Sequence, residues 1–305
     1  MIDTAMSRRA VRNDRMIDVR QNGIGDIVVA CWIVHSAAAV SERVRLNPRN
    51  HWPLAALLSV PEEFLTREEA ADWSQTLGIG HQFEYAQVDT APMSRFDAWC
   101  RSLELDGITP VRPPYLEDPG HGRWADEQWQ KVPADPGAPR VLIFPDAAWS
   151  LRAWPRAYFV DLASELSGLG YAVAAMAGSQ EAVEFMPCHW WSGFGLGMAA
   201  AMAARATVAV ANDSGPSHLA STIGTPTVAI CGASDPEIVF AHEPNVEAAV
   251  LDRSLLPCVR CHFSGGRGYR HACDVGGCQG LMRLDPGQVR RIVERTVTRT
   301  RRSSS

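Results

Sequence analysis

The stretch from Val208 to Gly232 constrains the fold more than any other part of the chain. It is read as a buried strand (208–211), a polar turn (213–216), a helix (217–223) and a second strand (227–230). The apolar run before the turn is rich in valine and alanine, which is typical of a strand inside a parallel sheet. In open α/β sheets, ligands bind at the turn that follows the carboxyl end of a strand. The pattern therefore predicts an α/β fold with a ligand site at this turn.

The turn itself allows two interpretations. A helix start presents free N–H groups and the positive end of the helix dipole, which suits a phosphate. Pro216 fits a first helical turn because the N–H that it lacks would have no partner there. Alternatively, Asp213 and Ser214 are N-cap residues of a simple capped turn, and His218 is an ordinary helix residue. Spacing alone does not separate the two.

The residues around this turn resemble the nucleotide-sugar motif of glycosyltransferase family 9, which contains the ADP-heptose heptosyltransferases. The matching residues are Asp213-Ser214-Gly215-x-x-His218-Leu219-Ala220, Gly224-x-Pro226-Thr227-Val228-Ala229 and Gly232. The resemblance implies the GT-B fold, two Rossmann-like domains facing a cleft, with ADP-heptose on the C-terminal domain. It assigns the phosphate to Ser214, Gly215 and Pro216. It assigns the donor's sugar hydroxyls to Asp213, and leaves His218 to hydrogen-bond the diphosphate or to pack behind it.

A second glycine-bearing turn follows the first predicted strand, Met16–Arg20, and precedes a helix predicted from Ile27. Gly23-Ile24-Gly25 is a weak signal, because the third glycine of a dinucleotide-binding motif is missing. Asp26 can be interpreted as an N-cap carboxylate. Gly25-Asp26 also resembles the Gly-Asp of family 9, which implies that Asp26 is the general base of a single, inverting displacement. A carboxylate at the rim of a cleft can accept the proton of an attacking hydroxyl.

The loop at 145–155 repeats the strand, loop and helix pattern. It lies between a predicted strand (140–144) and a predicted helix (158–166), and a further strand is predicted at 171–176. Arg152, before x-Trp154-Pro155, resembles the basic residue that holds the donor's diphosphate in family 9. A guanidinium can bridge two phosphate oxygens. Without the resemblance, Arg152 is a surface arginine beside a packed tryptophan. Family members often carry hydroxyls earlier in this loop, whereas Ser150 is the hydroxyl nearest to Arg152 here.

The segment after the strand at 171–176 carries the expected ribose contact. In family 9 an acidic residue near this point binds the donor's ribose hydroxyls, and a carboxylate suits paired hydroxyl donors. Glu181 is the candidate and Glu184 the second choice. Either glutamate can also be interpreted as an acid that stabilises a helix start.

Four cysteines cluster near the C-terminus as Cys258-x2-Cys261-x11-Cys273-x4-Cys278. This spacing predicts a four-thiolate metal site in the loop 257–280, with disulfides or free thiols as alternatives. Similar four-cysteine fingers occur in some protein-modifying heptosyltransferases, where the metal is iron. Zinc is the chemical default, and the sequence does not choose between the two metals. Four thiolates leave no open coordination position, so the site is expected to be structural. No catalytic metal is expected.

The length of 305 residues accommodates two domains. We expect a disordered tail (1–15) without the pattern of a secretion signal, an N-terminal acceptor-side domain (16–130) and a C-terminal donor-binding domain (140–298). A proline-rich boundary lies between the domains, with a helix predicted at 124–130. The N-terminal domain is expected to contain further strands at 44–46 and 82–88, and helices at 62–77 and 96–103. A closing helix is predicted at 284–297.

Composition narrows the function classes. The net charge of −5 argues against a nucleic-acid partner. The run from Ile27 to Val34 is too short for a membrane span, and a cytoplasmic location is expected. The predicted reaction is transfer of a heptose from ADP-heptose to an acceptor hydroxyl of a lipopolysaccharide core, a protein or a small metabolite. The alternatives are a nucleotide-sugar epimerase on the same fold, a transferase using another nucleotide sugar, and a non-catalytic, metal-stabilised interaction module. The acceptor and the oligomeric state are open.

Overall fold

The computed structural model describes residues 15–19, 23–67, 76–78 (backbone), 93–261, 273 and 276–303. Two parallel sheets organise these residues. The first domain contains β1 (Arg15–Asp18), α1 (Ile24–Ala39), β2 (Val44–Asn47), α2 (Trp52–Leu57), β3 (Thr76–Gly78) and α3 (Arg95–Ser102). The rest of the chain contains α4 (Pro119–Gln130), β4 (Arg140–Phe144), α5 (Arg156–Gly168), β5 (Ala172–Ala177), β6 (His189–Ser192), α6 (Leu196–Ala204), β7 (Val208–Asn212), α7 (Gly215–Thr222), β8 (Thr227–Ile230), α8 (Pro236–Val239), β9 (Val246–Ala249), α9 (Gln279–Arg283) and α10 (Pro286–Ser303).

The second domain is built on six parallel strands in the order β6-β5-β4-β7-β8-β9. Counted within the domain, this is the order 3-2-1-4-5-6 of the doubly wound Rossmann sheet. The chain therefore changes direction between β4 and β7, which are paired in register from Val141↔Val208 to Phe144↔Ala211. The loops that leave these two neighbouring strands diverge and open a crevice at their carboxyl ends, where such sheets bind ligands. The strands expected at 140–144, 208–211 and 227–230 and the helix after the polar turn are confirmed.

The first domain has a smaller described sheet, with three parallel strands in the order β2-β1-β3. Helix α1 explains the apolar run at its centre, because every residue from Ile27 to Val34 is buried. It is covered on more than one side, since it contacts β2, α2 and α3 of its own domain and α7 of the other. A helix enclosed in this way is apolar around its circumference.

One predicted helix in the first domain is wrong. At the start of the helix expected at 62–77 the described residues form a single 3₁₀ turn at Glu62–Phe64, and at its end they form the strand β3, whereas 68–75 lie outside the described residues. Strand β3 pairs with β1 in parallel, from Met16↔Thr76 to Asp18↔Gly78. Pairing in the sheet overrides the local helical pattern, because neighbouring strands satisfy the backbone that the pattern assigned to a helix. The strand expected at 82–88 lies outside the described residues, as does most of the tail expected at 1–15.

Helix α4 packs on the second domain. Its Trp129 Nε1 donates to the carbonyl of Met202 at 3.1 Å. Arg205, just after α6, binds Asp126 on α4 and Glu117 just before it, each at 2.6 Å. Trp129 and Ala125 share a core with strands β4, β5 and β7. A boundary at 130 assigned this helix to the first domain, whereas its contacts place it with the second. In the part of the chain that the structure describes, no helix is both long and apolar enough to cross a membrane.

Candidate active site between the two domains

A cavity of about 530 Å³ lies between the domains, within the usual range for a small-molecule site. The first domain lines it with Asp26, His51, Arg95 and the residues that lead into α1. The second domain lines it with the carboxyl ends of β4, β5 and β7, the start of α6 and the start of α7. The cavity therefore includes the crevice that the strand order predicts, and the first domain closes it from the opposite side.

Two glycines let the domains approach closely at the edge of this cavity. A Cβ added to Gly25 would lie 2.7 Å from the His218 ring, and one added to Gly215 would lie 2.5 Å from Ile24 Cβ. Real side chains do not tolerate such distances, so a larger residue at either position would push α1 and α7 apart. A buried hydrogen bond from Trp32 Nε1 to Thr222 Oγ1 (2.8 Å) fixes the same pair of helices. The second glycine of Gly-x-Gly thus serves the domain contact.

Asp26 is the third residue of α1, and its carboxylate lines the cavity. A carboxylate in a first helical turn is stabilised by the helix dipole. Its side chain is 23% exposed, and Oδ1 lies 3.4 Å from Arg95 Nη1. Asp26 therefore reaches the space where a substrate would lie, beside a cation from its own domain. The sequence placed it at a helix start facing an interdomain cleft, and it is found there.

Arg95, the first residue of α3, was not predicted from the sequence. Its side chain is only 10% exposed, and Nη2 lies 3.1 Å from His218 Nε2. Because an arginine can only donate, Nε2 must be the acceptor and the imidazole proton must be on Nδ1. Nδ1 in turn lies 2.5 Å from Oε1 of Glu243, a buried residue that the sequence analysis also missed. Neither residue belongs to a local motif, since each acts through a partner far away in the chain.

Asp213 is buried in the wall opposite Asp26, with 1% of its side chain exposed. Arg152 Nε lies 3.3 Å from its Oδ2. Burial alone would raise the pKa of Asp213, but Arg152 and the other positive neighbours hold that pKa below its usual range. Neither carboxylate oxygen has a hydrogen-bond partner of good geometry among the described residues. Buried polar oxygens without partners are rare, so this carboxylate is a candidate for binding a ligand's hydroxyl groups.

Arg152 is held for a similar purpose. It is the last residue of the 3₁₀ turn Ser150–Arg152, and its guanidinium carbon lies 4.6 Å from the centre of the Trp149 ring. A cation over an aromatic face is attracted by the ring, so Trp149 orients the guanidinium between the cavity and Asp213. Both aromatic and cation line the cavity. Arg152 therefore brings a positive charge to the cavity wall, and its role towards a diphosphate stays a prediction.

The start of α7 provides backbone donors at the cavity wall. Ser214 is the N-cap residue, and its N–H is taken by the Ser217 hydroxyl at 3.3 Å. The Ser217 amide already donates to the Ser214 carbonyl at 3.1 Å, and Pro216 has no N–H. The amide of Gly215 has no acceptor within the described part of the chain. A helix start with an open amide is suited to an anion.

Asn212 joins the two loops of the crevice and was not predicted. Its Nδ2 donates to the Pro145 carbonyl at 2.8 Å, and its Oδ1 accepts from the Trp154 N–H at 3.0 Å. Asp146, in the same loop, lines the cavity and accepts from the Gly178 N–H at 2.6 Å. Burial raises the pKa of Asp146, and the hydrogen bond from Gly178 offsets part of that effect.

Three of the predicted donor contacts lie away from this cavity. Ser150, Glu181 and Glu184 are exposed, and none of them lines the cavity. Asp146 occupies the place where the loops after β4 and β5 meet, so the cavity contains a carboxylate near the expected ribose position. The ribose role of Glu181 stays a prediction.

His51 lines the cavity, and an ion pair between Asp18 and Arg49 fixes the turn that positions it. Asp18 at the end of β1 is buried, and its two oxygens bind Arg49 Nε and Nη2, each at 2.7 Å. Arg49 has a φ of +50°, a conformation that side chains other than glycine rarely adopt. The paired charges hold this turn, and so place His51, two residues later, against the cavity.

The cysteine cluster is only partly described. Cys258 is exposed, whereas Cys261, Cys273 and Cys278 are half-buried. Burial raises the pKa of the Cys278 thiol, and the nearby thiols of Cys261 and Cys258 add to the effect. These thiols therefore lie within electrostatic range of one another. No group of three or more metal-binding side chains is found among the residues described, which omit 262–272 and 274–275. The metal site stays a prediction.

The comparisons with known proteins agree with this geometry. Residues 114–265 match the family model of glycosyltransferase family 9 (heptosyltransferase). A curated relative, lipopolysaccharide heptosyltransferase 1 of Pseudomonas aeruginosa, is 29% identical over 185 residues, which cover 55% of this chain and 51% of that protein. The chain thus matches about half the length of this curated relative.

Solved structures share the fold over almost the whole chain. A crystal structure of a family 9 glycosyltransferase from Veillonella parvula has a TM-score of 0.65 at 17% identity and covers 94% of this chain and 98% of its own. The dodecameric iron-containing heptosyltransferase TibC, solved with ADP-D-beta-D-heptose, has a TM-score of 0.65 at 15% identity and covers 94% and 77%. At this identity the likeness shows the fold alone, which is the GT-B-like arrangement of two α/β domains. The family-model match, together with the curated relative, shows that the chain belongs to glycosyltransferase family 9.

Proposed function

We propose that this protein transfers a heptose from ADP-heptose to an acceptor hydroxyl with inversion at the anomeric carbon. One observation carries the proposal: the interdomain cavity holds Asp26 on one wall and the Arg152–Asp213 pair on the other. Asp26 belongs to the first domain, whereas the pair belongs to the second. A group-transfer enzyme needs this division, because a base must reach the acceptor while a separate wall holds the leaving group.

The cavity offers a different surface to each part of a nucleotide sugar. The diphosphate would lie against Arg152 and the Gly215 amide at the start of α7. The buried oxygens of Asp213 would accept from hydroxyl groups of the donor sugar. Phe144, Met176 and Phe194 form an apolar part of the lining, which suits the flat face of a nucleobase. The reported complex of TibC with ADP-D-beta-D-heptose supports the same class of donor.

The chemistry follows from these positions. The acceptor oxygen forms a bond to the anomeric carbon as Asp26 takes its proton. The bond from that carbon to the phosphate oxygen breaks, and ADP leaves with the electron pair. Arg152 and the helix start offset the charge that develops on the leaving diphosphate. Attack on the face opposite the leaving group inverts the anomeric configuration in a single step.

A thermal-shift screen of nucleotide sugars tests the donor. ADP-heptose is expected to raise the melting temperature more than UDP- or GDP-sugars, because ligand binding stabilises the folded state. ADP release is then measured with three acceptors: a heptose-deficient lipopolysaccharide core, a serine-containing protein and a small sugar. Product analysis with donor alone separates transfer from epimerisation. An isomer of the donor would contradict transfer, whereas a transferase gives at most slow hydrolysis.

Asp26→Asn tests the base. We expect transfer to fall by a factor of about 10²–10⁴, the usual contribution of general base catalysis. ADP binding should stay within about twofold, because Asp26 belongs to the wall opposite Arg152 and Asp213. Asp161→Asn, on the exposed side of α5, is the matched control. Full turnover in the Asp26→Asn enzyme would refute the assignment.

We also propose that the four cysteines bind one structural metal ion, zinc or iron. Four thiolates fit either metal, and the cysteines follow one another as two closely spaced pairs, Cys258-x2-Cys261 and Cys273-x4-Cys278. Elemental analysis of the purified protein should find about one ion per chain. Cys258→Ser should lose it, whereas Cys188→Ser should keep it, because Cys188 lies outside the cluster. Metal content unchanged by Cys258→Ser would contradict this site.

A further inference from the structure

We propose that Glu243 is a positioning residue for the base Asp26, and that it acts through His218 and Arg95. The proposal rests on the proposed function, because it assigns Glu243 a part in the same reaction. The four side chains form a chain of contacts across the domain boundary. Glu243 Oε1 lies 2.5 Å from His218 Nδ1, His218 Nε2 lies 3.1 Å from Arg95 Nη2, and Arg95 Nη1 lies 3.4 Å from Asp26 Oδ1.

The direction of these hydrogen bonds follows from chemistry alone. Arg95 is always protonated and has no acceptor, so His218 Nε2 must offer its lone pair. A neutral imidazole then carries its proton on Nδ1, and a carboxylate is a suitable acceptor for that proton. Glu243 therefore selects the tautomer that Arg95 requires. In the other tautomer an N–H would face the guanidinium, and Arg95 would lose its anchor next to Asp26.

The surroundings leave the His218 ring little freedom to rotate or to shift. Gly25 lies against one edge of the ring, and Phe240 packs on it with 4.5 Å between ring centres. The other titratable groups near these four side chains are Asp213, 3.9 Å from His218 Nε2, and His242, 3.4 Å from Glu243 Oε1. Arg152 pairs with Asp213 on the far side. The ring is thus fixed in place, and its tautomer is the remaining variable.

Burying an ionised carboxylate is energetically unfavourable, so packing alone does not explain Glu243 at this position. Its side chain is fully buried, where an ionised carboxylate loses its hydration. Burial by itself would raise the pKa of Glu243, and the hydrogen bonds from His218 and Ser221 act in the opposite direction, so that its pKa lies below its usual range. The chain therefore keeps a negative charge in the second domain, three contacts away from the base in the first. The arrangement has the logic of a catalytic triad, in which a buried carboxylate fixes the tautomer of a histidine.

The test combines a spectroscopic measurement with kinetics. Protein labelled with ¹⁵N-histidine is examined by NMR at neutral pH, and His218 is assigned by the signals missing from His218→Gln. The wild type should show protonated Nδ1 and unprotonated Nε2 at His218. Glu243→Gln should shift His218 to the other tautomer or to a mixture. Glu127→Gln, the same substitution at an exposed site on α4, should leave it unchanged.

The kinetic arm measures release of ADP from ADP-heptose with water as the acceptor. Glu243→Gln should lower kcat on the order of 10²-fold, the effect of a misplaced catalytic group, with Kd for ADP within about twofold. Nε2–H at His218 in the wild type, or full turnover in Glu243→Gln, would overturn the proposal. If Glu243→Gln does not fold, the wild-type tautomer still decides. A wild type that neither binds nor turns over ADP-heptose would refute the proposed function as well, whereas an active wild type with an unaffected Glu243→Gln refutes only this inference.

Discussion

The two domains contribute to the same cavity in different ways. The second domain supplies its part from consecutive strand–turn–helix units of one sheet, with Asp146 after β4, Gly178 after β5 and Asp213 after β7. The first domain supplies Asp26, His51 and Arg95 from three separated segments. The family model matches residues 114–265, almost entirely the second domain. The wall proposed to bind the donor is thus built from one sheet, whereas the opposite wall is assembled from separated residues.

The largest expected effect comes from substituting Arg152, on the side of the cavity that the second domain forms. Arg152→Met leaves Asp213 as a buried carboxylate without its ion pair, and removes the cation that would meet the diphosphate. We expect kcat/KM for ADP-heptose to fall about 10²–10³-fold, similar to the loss of one transition-state donor. Arg156→Met, four residues away and over the Phe185 ring, should stay within about twofold. Kinetics of ADP release measures both, and equal effects of the two variants would contradict a special role for Arg152.

The next effect concerns the contact between the domains. Gly25→Ala adds a methyl group that would lie 2.7 Å from the His218 ring. We expect turnover to fall about 10²-fold, because a shift of about 1 Å misplaces Asp26, and stability to fall by about 1–3 kcal/mol. Gly23→Ala is the control, since nothing lies within 4 Å of its added Cβ and its φ is −73°. Kinetics and urea unfolding of both variants test this, and a fully active Gly25→Ala would show that the close approach is dispensable.

A smaller effect distinguishes Asp146 from Glu181, the residue that the sequence predicted as the ribose contact. Asp146 lines the cavity, whereas Glu181 is exposed, so the carboxylate near the donor's ribose should be Asp146. Asp146→Asn keeps an acceptor for the Gly178 N–H but loses the charge, and we expect ADP affinity to fall on the order of tenfold. Glu181→Gln should bind ADP like the wild type. Calorimetry with ADP decides, and the reverse result would restore the sequence-based assignment.

The smallest effect tests the buried histidine beside the domain contact. Burial lowers the pKa of His242 from 6.5 to about 4, although the adjacent Glu243 raises it in part and Arg95 adds to the lowering. The folded protein therefore keeps His242 neutral where the unfolded chain binds a proton. The contribution of His242 to the free energy of unfolding is fully present above about pH 6.5 and is lost as the pH drops towards 4.

We expect proton binding to this histidine in the unfolded chain to lower the free energy of unfolding by about 1 kcal/mol between pH 6.5 and 5.5. His242→Phe preserves a ring between Trp32 and Phe96 and should lose this part of the pH dependence. Urea unfolding of both proteins at the two pH values measures it. An equal loss of stability in the wild type and in His242→Phe would contradict the neutral state of His242.

Much of the second domain could be predicted because its signals are local. An apolar run, a polar turn and a helix start follow one another from Val208 to Thr222, and each is legible within a few residues. The same holds for Asp26, which directly follows the glycine that allows the domains to touch. The helix expected at 62–77 failed because its last residues pair with β1, a contact that no local pattern contains.

The sequence by itself predicted a pair of α/β domains and the loops that line the cavity, and it offered Asp26 and Arg152 as candidates for the base and for phosphate binding. Only the tertiary structure decided that Arg95 and Glu243 meet at His218, that Asp146 and not Glu181 lines the cavity, and that α4 packs on the second domain. The physical reason is the distance along the chain between the residues that interact. Strand and helix signals depend on neighbouring residues, whereas a hydrogen bond between positions 123 residues apart exists only once two separately folded walls have come together.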